Sequence, residues 1–499
     1  MSKDHFLHGF LNPHSVAFYG ANNKGASLAS IQIMNLIKSE YDGKIYPIHP
    51  KLDSVMGFKA YRSVSELPDV PDLVVIVLPA KIVPGIFKEC GEKGVKSIIL
   101  ISGGFRELIE DRKNSLTEEI NRISKEYGIR FIGPNCLGVF NNYYGDSNSN
   151  KAFNTAIWEN IRRGTFSIAS QSGTLSSHIW FDPDNLDLGL SKSLSVGNEA
   201  NIDIVDCLEY YKEDPQTSVI GLYIEEIKRG DRFLNLAKQI TPHKPIIAIY
   251  VGGSKAGNRA LQSHTGSLAG NAKIYDAVFK EAGIIKTEYV TEFLDIAFVL
   301  CNATLPKGRR LAIITNSGGP GAMIANNAEK QGLIVPELSK SLQKQLKEVL
   351  PITASFRNPI DCTFDMNLPY FYIDLPEILM KSGEIDMIIQ YGVVGFQDVM
   401  DDYLNYEKIA KYAEFTHQPD TLMDGFAKKL ISPTIANSKK YSVPILHVSP
   451  MCYTSPWSKR LRSNGALLFK YWDRPVNCLA KICNYISFLK RKNKISEKS

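Results

Sequence analysis

The stretch Ser15-Val16-Ala17-Phe18-Tyr19-Gly20-Ala21-Asn22-Asn23-Lys24-Gly25-Ala26-Ser27 decides the fold. Five residues suited to a buried strand run into a glycine turn, and helical spacing follows through Ile31, Met34, Leu36 and Ile37. Further apolar strands read at residues 44–48, 73–78 and 97–101, with helical stretches between them. Strands that are apolar along their whole length are buried on both faces, so the alternation means a parallel, doubly wound sheet. Ligands of such sheets lie beyond the carboxyl ends of the strands. The turn itself excludes two common uses. Ala26 stands where a Walker-type loop needs lysine, and Asn22 replaces the second glycine of the dinucleotide fingerprint. A glycine-bracketed turn at a helix start still presents N–H groups to a phosphate.

The same grammar recurs along the chain. Residues 165–169 lead into Ser170-Gln171-Ser172-Gly173-Thr174, and residues 219–224 end in Glu225-Glu226. Residues 245–250 deliver a Gly-rich turn (Gly252, Gly253, Gly257) ahead of His264. Residues 311–315 deliver Asn316-Ser317-Gly318-Gly319-Pro320-Gly321, and later strands read at 384–391 and 443–448. These are successive α/β units, expected at 1–145, 150–304 and 305–489, with a solvated, frayed basic tail at 490–499. The Asn-, Tyr-, Gly- and Ser-rich run 141–154 reads as a linker or inter-domain crossing, and the polar, aromatic run 398–436 as helical decoration.

A chain of 499 residues is too long for one core. Its 44% hydrophobic and 22% charged residues are ordinary for a soluble protein. The net charge of +6, from 58 basic and 52 acidic side chains, suits anionic small molecules and is too small to indicate nucleic acid. Eight cysteines occur with no C-x-x-C pair or zinc spacing, so reduced thiols and no metal in this chain are expected. The N-terminus lacks the apolar core of a signal peptide, and no apolar run reaches membrane-spanning length. The expectation is a soluble, cytoplasmic protein without a membrane partner.

Chemistry concentrates in Leu261-Gln262-Ser263-His264-Thr265-Gly266-Ser267-Leu268-Ala269-Gly270. One imidazole stands among hydroxyls and small residues, where a phosphorus centre has room to approach it. The alternative is a histidine that simply fills a loop. The turns at Ser170–Gly173 and Asn316–Gly321 change the balance, because each sets unpaired N–H donors at a helix start. Two such ends facing one point would hold a dianionic phosphoryl group. A carboxylate on one ring N–H would fix the tautomer and free the other nitrogen for attack. By alternation along a strand, only one of Glu225 and Glu226 can face such a site. His178, His243 and His447 read as structural or exposed, and Cys136 as a small buried hydrophobe rather than a nucleophile.

An ordered set of landmarks then carries a resemblance. They are Gly20-Ala21, Tyr46-Pro47-Ile48-His49-Pro50-Lys51, Leu78-Pro79-Ala80, Ser102-Gly103-Gly104-Phe105-Arg106-Glu107 and Ile132-Gly133-Pro134-Asn135-Cys136-Leu137-Gly138. Ser170-Gln171-Ser172-Gly173, Tyr223-Ile224-Glu225, Ser263-His264-Thr265-Gly266 and Asn316-Ser317-Gly318-Gly319-Pro320-Gly321 follow. With these motifs the chain resembles the alpha subunit of ADP-forming (NDP-forming) acetyl-CoA synthetases, in the succinyl-CoA synthetase superfamily, from Leu11 to Leu489.

The resemblance implies a CoA-binding Rossmann-like domain followed by two flavodoxin-like domains. It places Gly20, Ala21, Lys24, Lys51 and Pro79 at CoA, and Asn135 near the substrate carbonyl. His264 would be the phosphohistidine and Glu225 the carboxylate that orients it. Ser170, Ser172 and Gly173, with Ser317, Gly318, Gly319 and Gly321, would hold phosphate. The CoA loop departs from the family pattern at Leu28-Ala29-Ser30, near where a glycine is usual. The implied reaction is acyl-CoA + ADP + phosphate ⇌ carboxylic acid + CoA + ATP. It would run through an acyl phosphate and a phosphohistidine carried on a mobile Gly/Ser segment. No ATP-grasp domain follows residue 489, so ATP/ADP and Mg are expected on a separate beta subunit of a hetero-oligomer. The alternative is a CoA or acyl-CoA binding protein without ligase turnover, regulatory or part of an acyltransferase.

Overall fold

Three parallel sheets organise the chain, and all three repeat one strand order. The computed structural model describes residues 4–24, 27–105, 116–145, 150–158, 161–181, 187–264, 270–363, 367–392, 396–412 and 419–496. Met1–Phe293 and Leu294–Ser499 are separate compact units. The first unit begins with β1 (Ser15–Tyr19) and β2 (Lys44–Ile48), then a small hairpin of β3 (Ser54–Val55) and β4 (Phe58–Lys59). β5 (Leu73–Ile76), β6 (Ser97–Leu100) and β7 (Arg130–Ile132) complete a parallel sheet ordered β2-β1-β5-β6-β7. Nearly every strand residue is buried, because helices such as Leu28–Lys38 and Val83–Lys93 intervene between successive strands and cover the faces. The order reverses between β1 and β5, the position beyond whose carboxyl ends the ligand crevice of such sheets lies.

The second sheet of this unit comprises β8 (Val139–Asn141), β9 (Phe153–Asn154), β10 (Arg163–Ser170), β11 (Leu190–Ser195), β12 (Val219–Ile224), β13 (Ile246–Tyr250) and β14 (Ile285–Thr287). Its order is β14-β13-β12-β10-β11-β8-β9. The strands from β10 to β14 are parallel, while β8 and β9 add on antiparallel. Here the reversal falls between β10 and β12. Gly221 in β12 leaves room for aromatic rings, since a Cβ there would come within 2.5 Å of both Phe166 and Phe293.

The run 141–154, read as a linker or inter-domain crossing, has strand at both ends, at Asn141 and at Phe153–Asn154, while residues 146–149 lie outside the described residues. Asn141, Asn142 and Asn154 misled because they are buried hydrogen-bonding groups, not solvated ones. Asn141 Nδ2 donates to Leu11 O at 3.0 Å, Asn142 Nδ2 to Ile161 O at 2.9 Å, and Asn154 Nδ2 to Ile157 O at 2.7 Å. Each satisfies a carbonyl that would otherwise be orphaned.

The second unit holds β15 (Leu311–Thr315), β16 (Ile360–Asp361), β17 (Met387–Tyr391), β18 (Ile445–Val448) and β19 (Leu468–Phe469), ordered β16-β15-β17-β18-β19. The region read as decoration is helical at Phe396–Leu404, Glu407–Ala410 and Asp420–Tyr441. The basic tail is not frayed from residue 490, because the helix Asp473–Ser496 continues into it as far as Ser496. Near that helix's start, Arg474 grips the buried Asp295 with two hydrogen bonds, of 2.8 and 2.6 Å. Among the described residues, no helix is long and apolar enough to cross a membrane.

Candidate active site

The crevice of the first sheet is built by the turn that opened the sequence reading. Gly20 has φ +95°, and a Cβ there would lie 2.2 Å from Val77 O, so only glycine lets these two loops touch. Ala21 is buried behind it. Ser27 caps the helix Leu28–Lys38 by accepting from Ser30 N–H, and Ser30 Oγ staples the turn. That hydroxyl accepts Asn22 N–H at 2.9 Å and donates to Asn22 O at 2.7 Å. The departure at Leu28-Ala29-Ser30 thus supplies a bond that holds the loop. Lys24, Lys51 and Pro79 are exposed on loops at this end of the sheet, while Gly25 and Ala26 lie outside the described residues.

Asn135 sits beyond β7 in a left-handed conformation, φ 58°. Its N–H donates to Ser102 O at 3.0 Å and its Nδ2 to Asn198 Oδ1 at 3.3 Å. Cys136 beside it is buried, donates to Leu100 O, and its thiol is pushed up to about 12 by burial. It has none of the thiolate character a nucleophile needs.

At the reversal of the second sheet, β10 delivers Ser170–Gly173 and β12 delivers Glu225. Ser170 Oγ donates to Ser172 O at 2.7 Å and accepts Ser172 N–H at 3.1 Å, so one hydroxyl locks the turn from both sides. Ser172 then caps the helix Gly173–His178 through Leu175 N–H. Gly173 is small because Leu137 lies 2.9 Å from where its Cβ would be. The second unit repeats this joint. Thr315 Oγ1 donates to Ser317 O at 2.7 Å and accepts Ser317 N–H at 3.0 Å, and the helix Gly318–Lys330 begins there. Ser317 makes no side-chain cap bond, and a Cβ on Gly319 would meet nothing within 4 Å. Gly321 answers to packing instead, because Thr315 Cγ2 is 2.9 Å from its Cβ position.

Glu225 is 4% exposed, whereas Glu226 is only half-buried. The residue that joins Glu225 to the serine turn is Gln171, to which the sequence reading gave no role. Its Oε1 accepts the N–H groups of Glu225 and Glu226, at 2.5 and 3.0 Å, and its Nε2 donates to Glu226 O at 2.6 Å. Glu199 was also missed. It follows β11 in a left-handed conformation, φ 52°, and its Oε1 accepts Ile204 N–H at 2.8 Å. Burial pushes its carboxyl up to about 8 against the opposing pull of Lys228.

His264 ends a helix, Lys255–His264, where the sequence suggested a mobile Gly/Ser segment. Ser254 starts that helix by accepting Gly257 N–H at 2.9 Å, and Asn258 Oδ1 reaches back to Gly253 N–H. The foot of the segment is closed by Tyr250, whose hydroxyl donates to Gly270 O at 3.0 Å and whose ring stacks on Tyr275. The His264 side chain and residues 265–269 lie outside the described residues, as do Arg106 and Glu107. His243 is exposed, and His447 is buried in the second unit with burial pulling its ring down to about 4.

A parallel sheet with its order reversed, followed by a second that joins a serine turn to a buried carboxylate, defines a doubly wound α/β protein with helix starts suited to anionic ligands. Residues 14–142 match a CoA binding domain and residues 163–300 a succinyl-CoA ligase like flavodoxin domain. The chain is 39% identical over 385 residues to the alpha subunit of acetate–CoA ligase (ADP-forming) II of Pyrococcus furiosus, covering 77% of this chain and 82% of that one. It is 39% identical over 363 residues to the acetate–CoA ligase (ADP-forming) of Methanocaldococcus jannaschii, covering 73% of this chain and 50% of that one. The dinucleotide-forming acetyl-coenzyme A synthetase 1 of Ca. Korarchaeum cryptofilum, solved with phosphate and ADP, superposes with a TM-score of 0.78 at 29% identity, covering 97% of each chain. The chain belongs to the family of ADP-forming acetate–CoA ligase alpha subunits.

Proposed function

We propose that this chain interconverts acyl-CoA, ADP and phosphate with carboxylic acid, CoA and ATP by carrying a phosphoryl group on His264. The observation that supports this reading best is the joint at the second sheet's reversal, where Gln171 ties the Ser170–Gly173 turn to Glu225. Gly20, Ala21, Lys24, Lys51 and Pro79 bind CoA, with the two lysines facing its phosphates. Asn135 holds the thioester carbonyl while a phosphate oxygen attacks it. The C–S bond breaks, CoA leaves as the thiol, and an acyl phosphate remains. A ring nitrogen of His264 then attacks phosphorus, and the carboxylate leaves. Glu225 holds the other ring N–H and stabilises the positive charge that grows on the imidazole. Ser172 and Gly173 offer hydroxyl and N–H groups to the phosphoryl oxygens, with Ser170 holding the turn that presents them, and Ser317, Gly318 and Gly319 form a second turn of the same kind. Gly321 supports that turn by letting the helix approach β15.

ADP, with Mg, takes the phosphoryl group from His264 on an ATP-grasp beta subunit. The names of the alpha-subunit relatives support a multi-subunit enzyme. Acetate is the first acid to test, and the cytoplasm the expected compartment. The experiment is phosphate-dependent release of CoA thiol from acetyl-CoA. The chain alone should give one burst matching its own concentration, and sustained turnover only with ADP and a co-purifying partner. No phosphate-dependent burst with any acyl-CoA, despite tight CoA binding, would leave a binding protein instead.

A further inference from the structure

Three successive backbone N–H groups follow β12, and side chains from two directions hold them. Gln171 Oε1 accepts those of Glu225 and Glu226 from the side of the serine turn. Tyr275 Oη accepts the third, Ile227 N–H, at 3.1 Å. Tyr275 belongs to the helix Ala272–Ala282, which Asn271 caps by accepting Lys273 N–H. That helix starts where the His264 segment ends. The loop carrying Glu225 is thereby tied to the serine turn on one side and to the foot of the His264 segment on the other.

The ring of Tyr275 serves that foot. It stacks on Tyr250 with ring centroids 3.8 Å apart and planes tilted by 13°, and both rings are buried. Tyr250 Oη in turn donates to Gly270 O at 3.0 Å. The chain enters and leaves the segment against these two rings, and glycine makes room for it. A Cβ on Gly252 would lie 2.5 Å from Tyr250 Oη, and one on Gly270 would lie 2.7 Å from Tyr275 Cε2. Ile224 and Tyr250 are register partners on β12 and β13, so the Glu225 loop and the stack start from adjacent strand ends. A phenylalanine at 275 would stack as well as tyrosine does. What the hydroxyl adds is the bond to Ile227, a polar tip on an apolar anchor.

We propose that Tyr275 is a positioning residue that sets the spacing between Glu225 and His264, its hydroxyl fixing the Glu225 loop at Ile227 and its ring fixing the foot of the His264 segment at Gly270. This rests on the proposed function above, in which Glu225 holds a ring N–H of His264. The test compares wild type with Tyr275→Phe, which keeps the stack and removes the hydroxyl, and with Tyr275→Leu, which removes both. Two readouts are taken: hydrogen exchange at the Ile227 amide, and the rate of phosphoryl labelling from radiolabelled phosphate over a range of acetyl-CoA concentrations.

In Tyr275→Phe, exchange at Ile227 should quicken about fivefold. Labelling at saturating acetyl-CoA should slow on the order of tenfold, with the half-saturating concentration unchanged, because placement rather than CoA binding is at fault. Tyr275→Leu should slow labelling further, on the order of 100-fold. Unchanged exchange at Ile227 in Tyr275→Phe overturns the inference, and so does a labelling rate equal to wild type in that variant. A raised half-saturating concentration in place of a slower rate also overturns it. Equal labelling in the two variants would show that the ring sets nothing, which overturns it as well. If Tyr275→Leu does not fold, Tyr250→Leu, which removes the stack from the other side, takes its place. Absence of label in wild type, with the exchange difference present, counts against the ligase reading and leaves the tie between the two loops supported.

Discussion

Replacing Gln171 with leucine tests the joint between the serine turn and Glu225. Leucine fills a similar volume and removes the bonds to Glu225 N–H at 2.5 Å, Glu226 N–H at 3.0 Å and Glu226 O at 2.6 Å. Loss of a partner at the buried Glu225 amide costs about 1–3 kcal/mol. The two groups of half-buried Glu226 reach water more easily and cost about 0.5 kcal/mol each. Burying leucine's extra apolar surface returns about 1 kcal/mol. The net expectation is a destabilisation of about 2 kcal/mol, or a fall of about 5 °C in the first unit's calorimetric transition. Function should suffer more than stability. A shift of Glu225 by about 1 Å costs on the order of 100-fold in a step that depends on positioning. Calorimetry and single-turnover labelling read the two effects on one sample. A transition within about 1 °C of wild type, with an unchanged labelling rate, would refute the reasoning.

Gly20→Ala places a Cβ 2.2 Å from Val77 O at φ +95°, so it should weaken CoA binding more than tenfold by titration calorimetry and destabilise the unit by about 2 kcal/mol. Lys192→Met leaves the buried Asp214 carboxylate without its 2.7 Å partner and should cost about 3–5 kcal/mol in denaturant unfolding. His447 has its ring lowered from 6.5 to about 4, so the unfolded chain binds its proton first. Stability of the second unit is fully present above pH 6.5 and is lost as pH falls towards about 4, by about 3 kcal/mol in all. Unfolding of His447→Leu followed against pH should lack that component.

The strand grammar was legible because parallel strands buried on both faces are continuous apolar runs, as Leu73–Ile76 and Leu311–Thr315 show. The turns were legible too, as strand ends running into Ser170–Gly173 and Asn316–Gly321, but the hydroxyl staples of Ser170 and Thr315 were not. Other features depend on tertiary partners that no local pattern reveals. Asn141 and Asn154 looked like loop residues because polarity was all the sequence offered, and only the fold shows the carbonyls they satisfy. Glycine counts around residues 252–270 outweighed the cap at Ser254, so the helix Lys255–His264 went unread. Glu199 lies beyond a strand that itself carries no motif, and only the fold shows its burial and the Ile204 N–H it accepts. Its only local signal is Gly197 just before it.

The central claim is that His264 carries the phosphoryl group. The most direct measurement is incubation of the chain with acetyl-CoA and radiolabelled phosphate, followed by acid and alkali treatment and mapping of the labelled peptide. The account predicts an acid-labile, alkali-stable label on His264, close to one per chain, absent from His264→Ala. A wild-type chain that takes no label from any acyl-CoA, or a His264→Ala chain that labels as well as wild type, would contradict it.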